Sequence, residues 1–313
     1  MRVVGVLEFG GPEALEVVEV PDPPPPGAGE VKVRVHAATV NPTDTYMRNG
    51  SYRRLLRDSR PPYIPGMDAA GVVAELGDGV TGLAVGDRVM AVVMPTRPEG
   101  GAYAEHVVVP AGAVARAPAG ASHAEAATLP MNGLTARLSL DKLGLEPGQT
   151  LAVTGAAGCY GGYVVQLAKA DGLRVIADAS EEDEALVRDL GADVVVRRGD
   201  DVARRIREVE PHGVDAVADG AVQDALVQRA VRDGGAVAAV RPFPGETERG
   251  ITLHQVWISE YATAGDKLDE LRRLAEDGAL TLRVAQTFPP EQAAEAHRTL
   301  ERGGTRGRLV IEL

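Results

Sequence analysis

One stretch limits what this chain can fold into more than any other: Leu151–Gly172, LAVTGAAGCYGGYVVQLAKADG. It opens with a short apolar run, Leu151–Thr154, that reads as a buried strand. Gly155, Gly158 and Gly161 follow at the spacing of a dinucleotide-binding turn. A helical pattern comes next, with Val164, Val165, Leu167 and Ala168 on one side and Lys169 facing out, and Gly172 stands where a C-cap glycine belongs. Gly155 permits a tight turn, Gly158 lets backbone approach a pyrophosphate, and Gly161 lets the helix lie close to the strand. The helix N-terminus would present N–H groups and a partial positive charge to the phosphates. A glycine pattern alone closes many ordinary strand–helix units. The strand–turn–helix setting is what makes this one read as nucleotide binding.

From Leu151 onward the chain alternates strand and helix in the βαβ manner. Strands are expected at Leu151–Thr154, Arg174–Asp178, Val194–Val196, Asp215–Ala218 and Ala236–Val240. Helices are expected at Gly161–Asp171, Glu182–Leu190, Asp201–Val209, Gln223–Arg232 and Asp266–Ala275. The strands are nearly continuous Val, Ile, Leu and Ala without alternation, as a parallel sheet covered on both faces requires. Residues before about Ala121 are different: short strands, punctuated by Gly and Pro. Val31, Val33, Val35 and Ala37 alternate with Lys32, Arg34 and His36, and further strands are expected at Ala70–Glu75, Arg88–Val93 and Ala104–Val109. These suggest a compact β-barrel-like domain. Between Glu125 and Leu143 the pattern turns helical, with Pro130 expected as a break and Asn132 as a cap. After Leu280 the rhythm changes again, and the strand Arg308–Glu312 is expected to return to the first domain. The division is therefore 1–121, completed by about 279–313, and 122–278.

With 313 residues there is room for two cores. A net charge of −12 argues against nucleic acid or an anionic membrane as the main partner. The single cysteine, Cys159, excludes a disulfide framework or a Cys-rich zinc lobe. No apolar run is long enough to span a bilayer, and the N-terminus lacks a signal-peptide pattern, so a cytoplasmic location is the default. Aromatics at 4% provide few stacking platforms for bases. No Gly-x-Ser-x-Gly, Walker A loop or His-Glu-x-x-His appears, which leaves hydrolase, NTPase and zincin readings without support.

Further pieces run from end to end: Val40-Asn41-Pro42-Thr43-Asp44, Arg48-Asn49-Gly50-Ser51-Tyr52, Ile64-Pro65-Gly66-Met67-Asp68-Ala69-Ala70-Gly71, Gly86-Asp87-Arg88-Val89, Gly101-Ala102-Tyr103-Ala104-Glu105, Gly133-Leu134-Thr135-Ala136, Gln166-Leu167-Ala168-Lys169 and Leu190-Gly191-Ala192-Asp193. With the glycine turn, they make the whole chain resemble the zinc-independent medium-chain dehydrogenase/reductases, in the NADPH:quinone oxidoreductase (zeta-crystallin-like) branch. The resemblance implies an α/β fold, a GroES-like β-barrel domain plus a Rossmann doubly wound parallel-sheet domain, with the nucleotide in the cleft between the domains and assembly as a homodimer or homotetramer. Zinc-dependent relatives carry an early cysteine and a Gly-His-Glu. Here that stretch reads Gly66-Met67-Asp68 and no early cysteine exists, so no metal is expected: Met is a poor zinc ligand, and Asp68 would stand alone. The branch usually has Gly-Gly-Val-Gly where this chain has Gly158-Cys159-Tyr160-Gly161. Tyr160 is bulkier and would narrow the cofactor cleft. Cys159 reads either as a low-pKa thiol at a helix N-terminus or as a small space-filler.

The resemblance places Gly155, Ala156, Ala157, Gly158, Cys159, Tyr160, Gly161, Thr135 and Asn41 at the cofactor. Asp178 ends the second strand of the sheet, about 20 residues beyond the glycines, where a carboxylate binds a ribose 2′-OH and repels a 2′-phosphate. Against it stand Ser180 and Arg197-Arg198, a pair suited to a phosphate by geometry and permanent charge. NADPH is favoured, and NADH stays open. Arg241, followed by Pro242-Phe243, replaces small residues near the nicotinamide. Arg306 and Arg308 either reach a cofactor phosphate or decorate a surface strand. Hydride addition to a quinone or enone puts charge on oxygen, and donors aimed there lower the barrier. The candidates are Asn41, Tyr46 and Tyr52, with Asp44 bracing their loop. The expected function is hydride transfer from NADPH to a small-molecule quinone or α,β-unsaturated carbonyl. A pathway-specific enoyl reductase and a weakly catalytic nucleotide-binding structural or regulatory protein are the alternatives.

Overall fold

The computed structural model describes every residue except Asp58. The chain forms two compact units. The first comprises Met1–Met131, Ala262–Glu276 and Leu282–Leu313. The second comprises Asn132–Tyr261 and Asp277–Thr281.

The first unit is built on a seven-stranded sheet. Its order is Val284–Phe288, Arg308–Glu312, Glu30–Thr39, Asp68–Leu76, Arg88–Val92 and Val114–Arg116, with His106–Pro110 also pairing Glu30–Thr39. Every pairing is antiparallel except that of the first two strands. In Glu30–Thr39 the expected alternation holds: Val31, Val33 and Val35 are buried while Lys32, Arg34 and His36 are not. The pairing with Asp68–Leu76 shifts register between Val35 and Ala37, and from Ala37 the strand is buried on both sides. That shift carries the chain into the interior, so Thr39 and Asn41 arrive as buried polar residues. The core is aliphatic: Val3, Val4, Val6, Val33, Val73, Val89, Val107, Leu309 and Ile311, closed by Tyr103 and Phe288.

A helix, Pro42–Arg48, occupies the segment read from sequence as a loop. Its local signals are complete: Asn41 caps it, Pro42 fills the first position, and Asp44 at N3 closes a capping box. Pro130 also departs from expectation. It opens the helix Pro130–Leu143 instead of interrupting one, because a first-turn residue needs no N–H, and Asn132 lies inside that turn. The preceding helix, His123–Ala127, is capped by Ser122 with Glu125.

The second unit is a six-stranded parallel sheet in the order Val194–Arg197, Arg174–Ala179, Thr150–Thr154, Val214–Asp219, Val231–Ala239, Thr252–Gln255. In chain order this is 3-2-1-4-5-6, the doubly wound arrangement, with the switch point between Thr150–Thr154 and Val214–Asp219. Helices Cys159–Ala170, Glu184–Asp189 and Val202–Val209 connect the strands. The expected helix at Gln223–Arg232 is a 3₁₀ segment, Asp224–Ala230, and the next strand already begins at Val231. The sixth strand was not legible from sequence. Among the described residues no helix is long and apolar enough to cross a membrane.

Gly71 sits where Asp68–Leu76 crosses Glu30–Thr39. A Cβ there would lie 1.9 Å from the Arg34 carbonyl oxygen, a backbone atom that cannot step aside. Gly71→Ala should therefore destabilise the protein by about 3 kcal/mol or more, read from the urea midpoint. A shift below about 0.5 kcal/mol, the range of neutral surface changes, would contradict this packing.

Candidate functional site

In the second unit the strand Thr150–Thr154 ends in the glycine turn. Gly155 has φ +67°, and a Cβ on it would meet the Gly220–Ala221 peptide at 2.9 Å. A Cβ on Gly161 would lie 2.3 Å from the Gly155 carbonyl oxygen, so only glycine lets the helix approach. Gly158 differs. A Cβ there meets only the Gly155 oxygen, at 3.1 Å, and otherwise points into open space. No side chain caps the helix at Gly158. Two positions demand glycine for packing, and the third leaves room beside a helix N-terminus. This arrangement fits a pyrophosphate.

Asp178 lies at the end of the neighbouring strand and is buried. Its carboxylate accepts the Ala156 N–H at 3.2 Å and the Gly155 N–H. Burial pushes its carboxyl above the ordinary value, while these two N–H groups and the Arg198 charge pull the other way. Asp178 thus holds the glycine turn in shape. Across the switch point, Thr154 Oγ1 donates to Asp219 Oδ1 at 2.6 Å, and Asp219 Oδ2 accepts the Asp224 N–H at 2.9 Å. Val222 and Asp224 take positive φ, 56° and 51°, beside this latch.

The Tyr160 ring is turned inward. Its hydroxyl is 2.8 Å from Ser139 Oγ, and a Cβ on Gly220 would press on the ring at 2.9 Å. Ser139 Oγ also donates to the Thr135 carbonyl at 2.8 Å, so Thr135, Ser139 and Tyr160 form one chain of contacts. Ala157 and Cys159 are half-buried in the turn. Ser180 Oγ donates to Asp183 at 2.6 Å, which fixes the loop after the second strand. Arg198 is exposed at the end of the third strand, and Arg197 pairs with Glu181 at 3.2 Å. Arg241 is exposed, and its charge pulls the Asp224 carboxyl down against the burial and the Asp219 charge that raise it.

In the first unit the polar residues converge on Asp68, which is fully buried. Its Oδ2 accepts from Thr39 Oγ1 at 2.5 Å, Asn41 Nδ2 at 2.9 Å and Arg308 Nη2 at 3.0 Å; its Oδ1 accepts the Met131 N–H at 2.6 Å. Arg308 also donates to Asn41 Oδ1 at 2.7 Å and to Thr39 Oγ1. Arg308 is therefore not a surface decoration: it is 5% exposed, and its charge is spent on Asp68. Asn41 has both ends of its amide engaged here, so it braces the segment. Arg306 remains half-exposed on its own loop.

A second buried network holds the helix Pro42–Arg48. Asp44 accepts the N–H groups of Asn41 at 2.8 Å and Gly66 at 2.9 Å, and the Tyr103 hydroxyl at 3.2 Å. Burial pushes the Asp44 carboxyl up to about 6, against the pull of those backbone donors. Arg48 Nη1 lies 3.4 Å from His297 Nδ1, and His297 Nε2 lies 3.2 Å from the Tyr103 oxygen. A guanidinium only donates, so Nδ1 accepts and Nε2 carries the proton. Burial, then Arg48, press the His297 pKa down to about 3, and the ring is neutral. Arg48 is itself neutralised by Glu301 at 2.6 Å. Sequence reasoning assigned Asp44 its bracing role but missed Thr39, Tyr103 and His297, which no local pattern marks. Tyr46 and Tyr52 pack ring to ring, centroids 5.5 Å apart, and the Tyr52 N–H donates to the Tyr46 carbonyl at 3.1 Å.

Two outcomes follow from these networks. Arg308→Met leaves Asp68 charged and buried without its counter-ion, and should cost about 3–5 kcal/mol in chemical unfolding. A loss under 1 kcal/mol would contradict the clamp. For His297, a lowered folded pKa means its stabilising contribution is complete above its ordinary 6.5 and is lost as pH falls toward 3. The stability advantage of the wild type over His297→Gln should shrink between pH 7 and pH 4. The Asp44 contribution has the opposite sign, growing as pH falls through about 6, but both proteins share it. A pH-independent difference would contradict the neutral, buried ring.

The family of the alcohol dehydrogenase GroES-like domain matches residues 27–119, and that of the zinc-binding dehydrogenase matches residues 190–311. Human quinone oxidoreductase is 31% identical over 337 residues, covering 100% of this chain and 98% of its own length. Human mitochondrial NAD(P)H oxidoreductase RTN4IP1 is 30% identical over 352 residues, covering 98% of this chain and 86% of its own. Among solved structures, a mycobacterial protein complexed with NADPH superposes at a TM-score of 0.86 with 31% identity, over 100% of both chains. The chain belongs to the medium-chain dehydrogenase/reductase family, beside its quinone oxidoreductases.

Proposed function

We propose that this protein is a zinc-independent, NADPH-dependent reductase of quinones or α,β-unsaturated carbonyls. The observation that carries the reading is the state of Asp68. A carboxylate offers about four lone-pair sites, and Thr39, Asn41, Arg308 and Met131 supply four donors. Oδ2 takes three of them and Oδ1 one, with Arg308 already standing as the counter-ion, and among the described residues no group of three His, Cys, Asp or Glu could hold a metal. The zinc that the family name implies does not fit these residues. Polarising an acceptor oxygen then falls to hydrogen-bond donors. Quinones and enones suit that arrangement, because the arriving negative charge is delocalised and a hydroxyl donor suffices.

Bound NADPH supplies the hydride. The turn Gly155–Gly161, with Ala156, Ala157 and Cys159, would hold the pyrophosphate, supported by Thr135 and Tyr160 and kept in shape by Asp178. Arg198 and Ser180 would take the 2′-phosphate, and Arg241 would face the nicotinamide end. With Asp178 drawn onto the turn, its carboxylate stands less in the way of that phosphate than a free one would. In the first unit Tyr46 and Tyr52 donate to the acceptor oxygen. Asn41 and Arg308 act through the segment they brace.

Arg198→Glu should weaken NADPH about tenfold while leaving NADH within about threefold, measured by fluorescence titration. Equal losses for both nucleotides would remove Arg198 from the phosphate site. The reading as a whole is tested by NADPH oxidation with 1,4-benzoquinone and a panel of enones after dialysis against EDTA. Turnover untouched by the chelator is expected. Activity that appears only with alcohols or aldehydes and added zinc would overturn it.

A further inference from the structure

The segment that follows Tyr52 is unlike the rest of the chain. Arg53, Arg54, Arg57 and Arg60 crowd into a few residues of a protein whose net charge is −12. Arg53 and Arg54 are exposed, and among the described residues no carboxylate pairs with either. Most other arginines of this surface have a partner, as Arg2, Arg116, Arg188 and Arg204 do. Together with Asn49, Gly50 and Ser51, these two line an open cavity of about 460 Å³. Asn49 Oδ1 accepts the Ser51 N–H at 2.9 Å, and the Arg53 N–H donates to the Gly50 carbonyl at 3.1 Å. The cavity floor is therefore a hydrogen-bonded turn and not a slack loop. Leu55 stands beside it, 61% exposed.

We propose that this cavity binds an oxyanion, a phosphate or carboxylate, carried by the electron acceptor at a distance from its reacting oxygen. Guanidinium groups recognise such anions by paired N–H donors and a permanent charge. On a chain of net charge −12, two exposed guanidinium groups without a carboxylate partner among the described residues form a local attraction for an anion. The site is joined to the proposed acceptor donors through the backbone, because the turn that seats Tyr52 against Tyr46 is the one that projects Arg53 and Arg54. The inference rests on the reductase reading and names the acceptor class for it. Contacts to a part of the acceptor that does not react lower KM and leave kcat alone.

The test is calorimetric titration of protein saturated with NADP⁺, which fills the nucleotide site. The phosphate arm compares crotonyl-CoA with the neutral N-acetylcysteamine thioester of the same acid. The carboxylate arm compares trans-4-oxo-2-pentenoate with its methyl ester. Wild type should hold the anionic member of at least one pair about threefold or more tighter, and Arg53→Gln/Arg54→Gln should abolish that preference, since two exposed charge contacts are worth little more. The arm that shows the preference identifies the anion. If neither arm shows one, or the double variant keeps it, the proposal is overturned. NADPH oxidation with neutral benzoquinone is followed in both proteins. Its absence from wild type sinks the reductase reading and leaves the binding result to stand by itself.

Discussion

A carboxylate removed from water must be answered by donors, and Asp68 is answered by four at once. The ion pair with Arg308 is worth little net stability against an apolar alternative, because desolvation consumes most of the attraction. Its weight lies in what breaking it would cost and in what it assembles. Arg308 begins the last strand, Thr39 ends the long central strand, Asn41 caps the first helix, and Met131 lies in the first turn of the helix Pro130–Leu143. One carboxylate fixes all four ends.

Asp178 repeats the device in the second unit. It is buried, its acidity is reduced by burial, and it is held by backbone N–H groups of the glycine turn. Sequence suggests a ribose contact for a carboxylate at a strand end. The structure shows it first shaping the loop that would carry a nucleotide. Gly155 and Gly161 are needed because a Cβ would press on the Gly220–Ala221 peptide or on the Gly155 carbonyl oxygen, and Gly158 keeps the face of that turn open. Asp44 is the third member: it closes a capping box and ties the first helix to Gly66 and Tyr103.

Local features were legible in the sequence because their physics is local. The glycine turn, the non-alternating strands of the parallel sheet and the alternation at Val31–Ala37 each follow from neighbours. The helix Pro42–Arg48 had its cap, its proline and its N3 carboxylate in plain view, but surrounding Gly and Pro masked it. The Gln223–Arg232 segment reads helical, yet Asp219 takes the Asp224 N–H and positive φ at Val222 and Asp224 tightens the entry into a 3₁₀ turn. The clamps were not legible at all. Asp68 and Arg308 are 240 residues apart, and Tyr103 and His297 are 194 apart, so neither pair leaves a periodic trace.

The reading proposed above is of a metal-free reductase whose glycine turn takes NADPH. Native mass spectrometry of the purified protein, with NADPH and zinc chloride both offered in slight excess, tests it most directly. The account predicts one NADPH for each chain and no zinc retained. A chain that keeps a stoichiometric zinc, or that takes up no nucleotide, would contradict it.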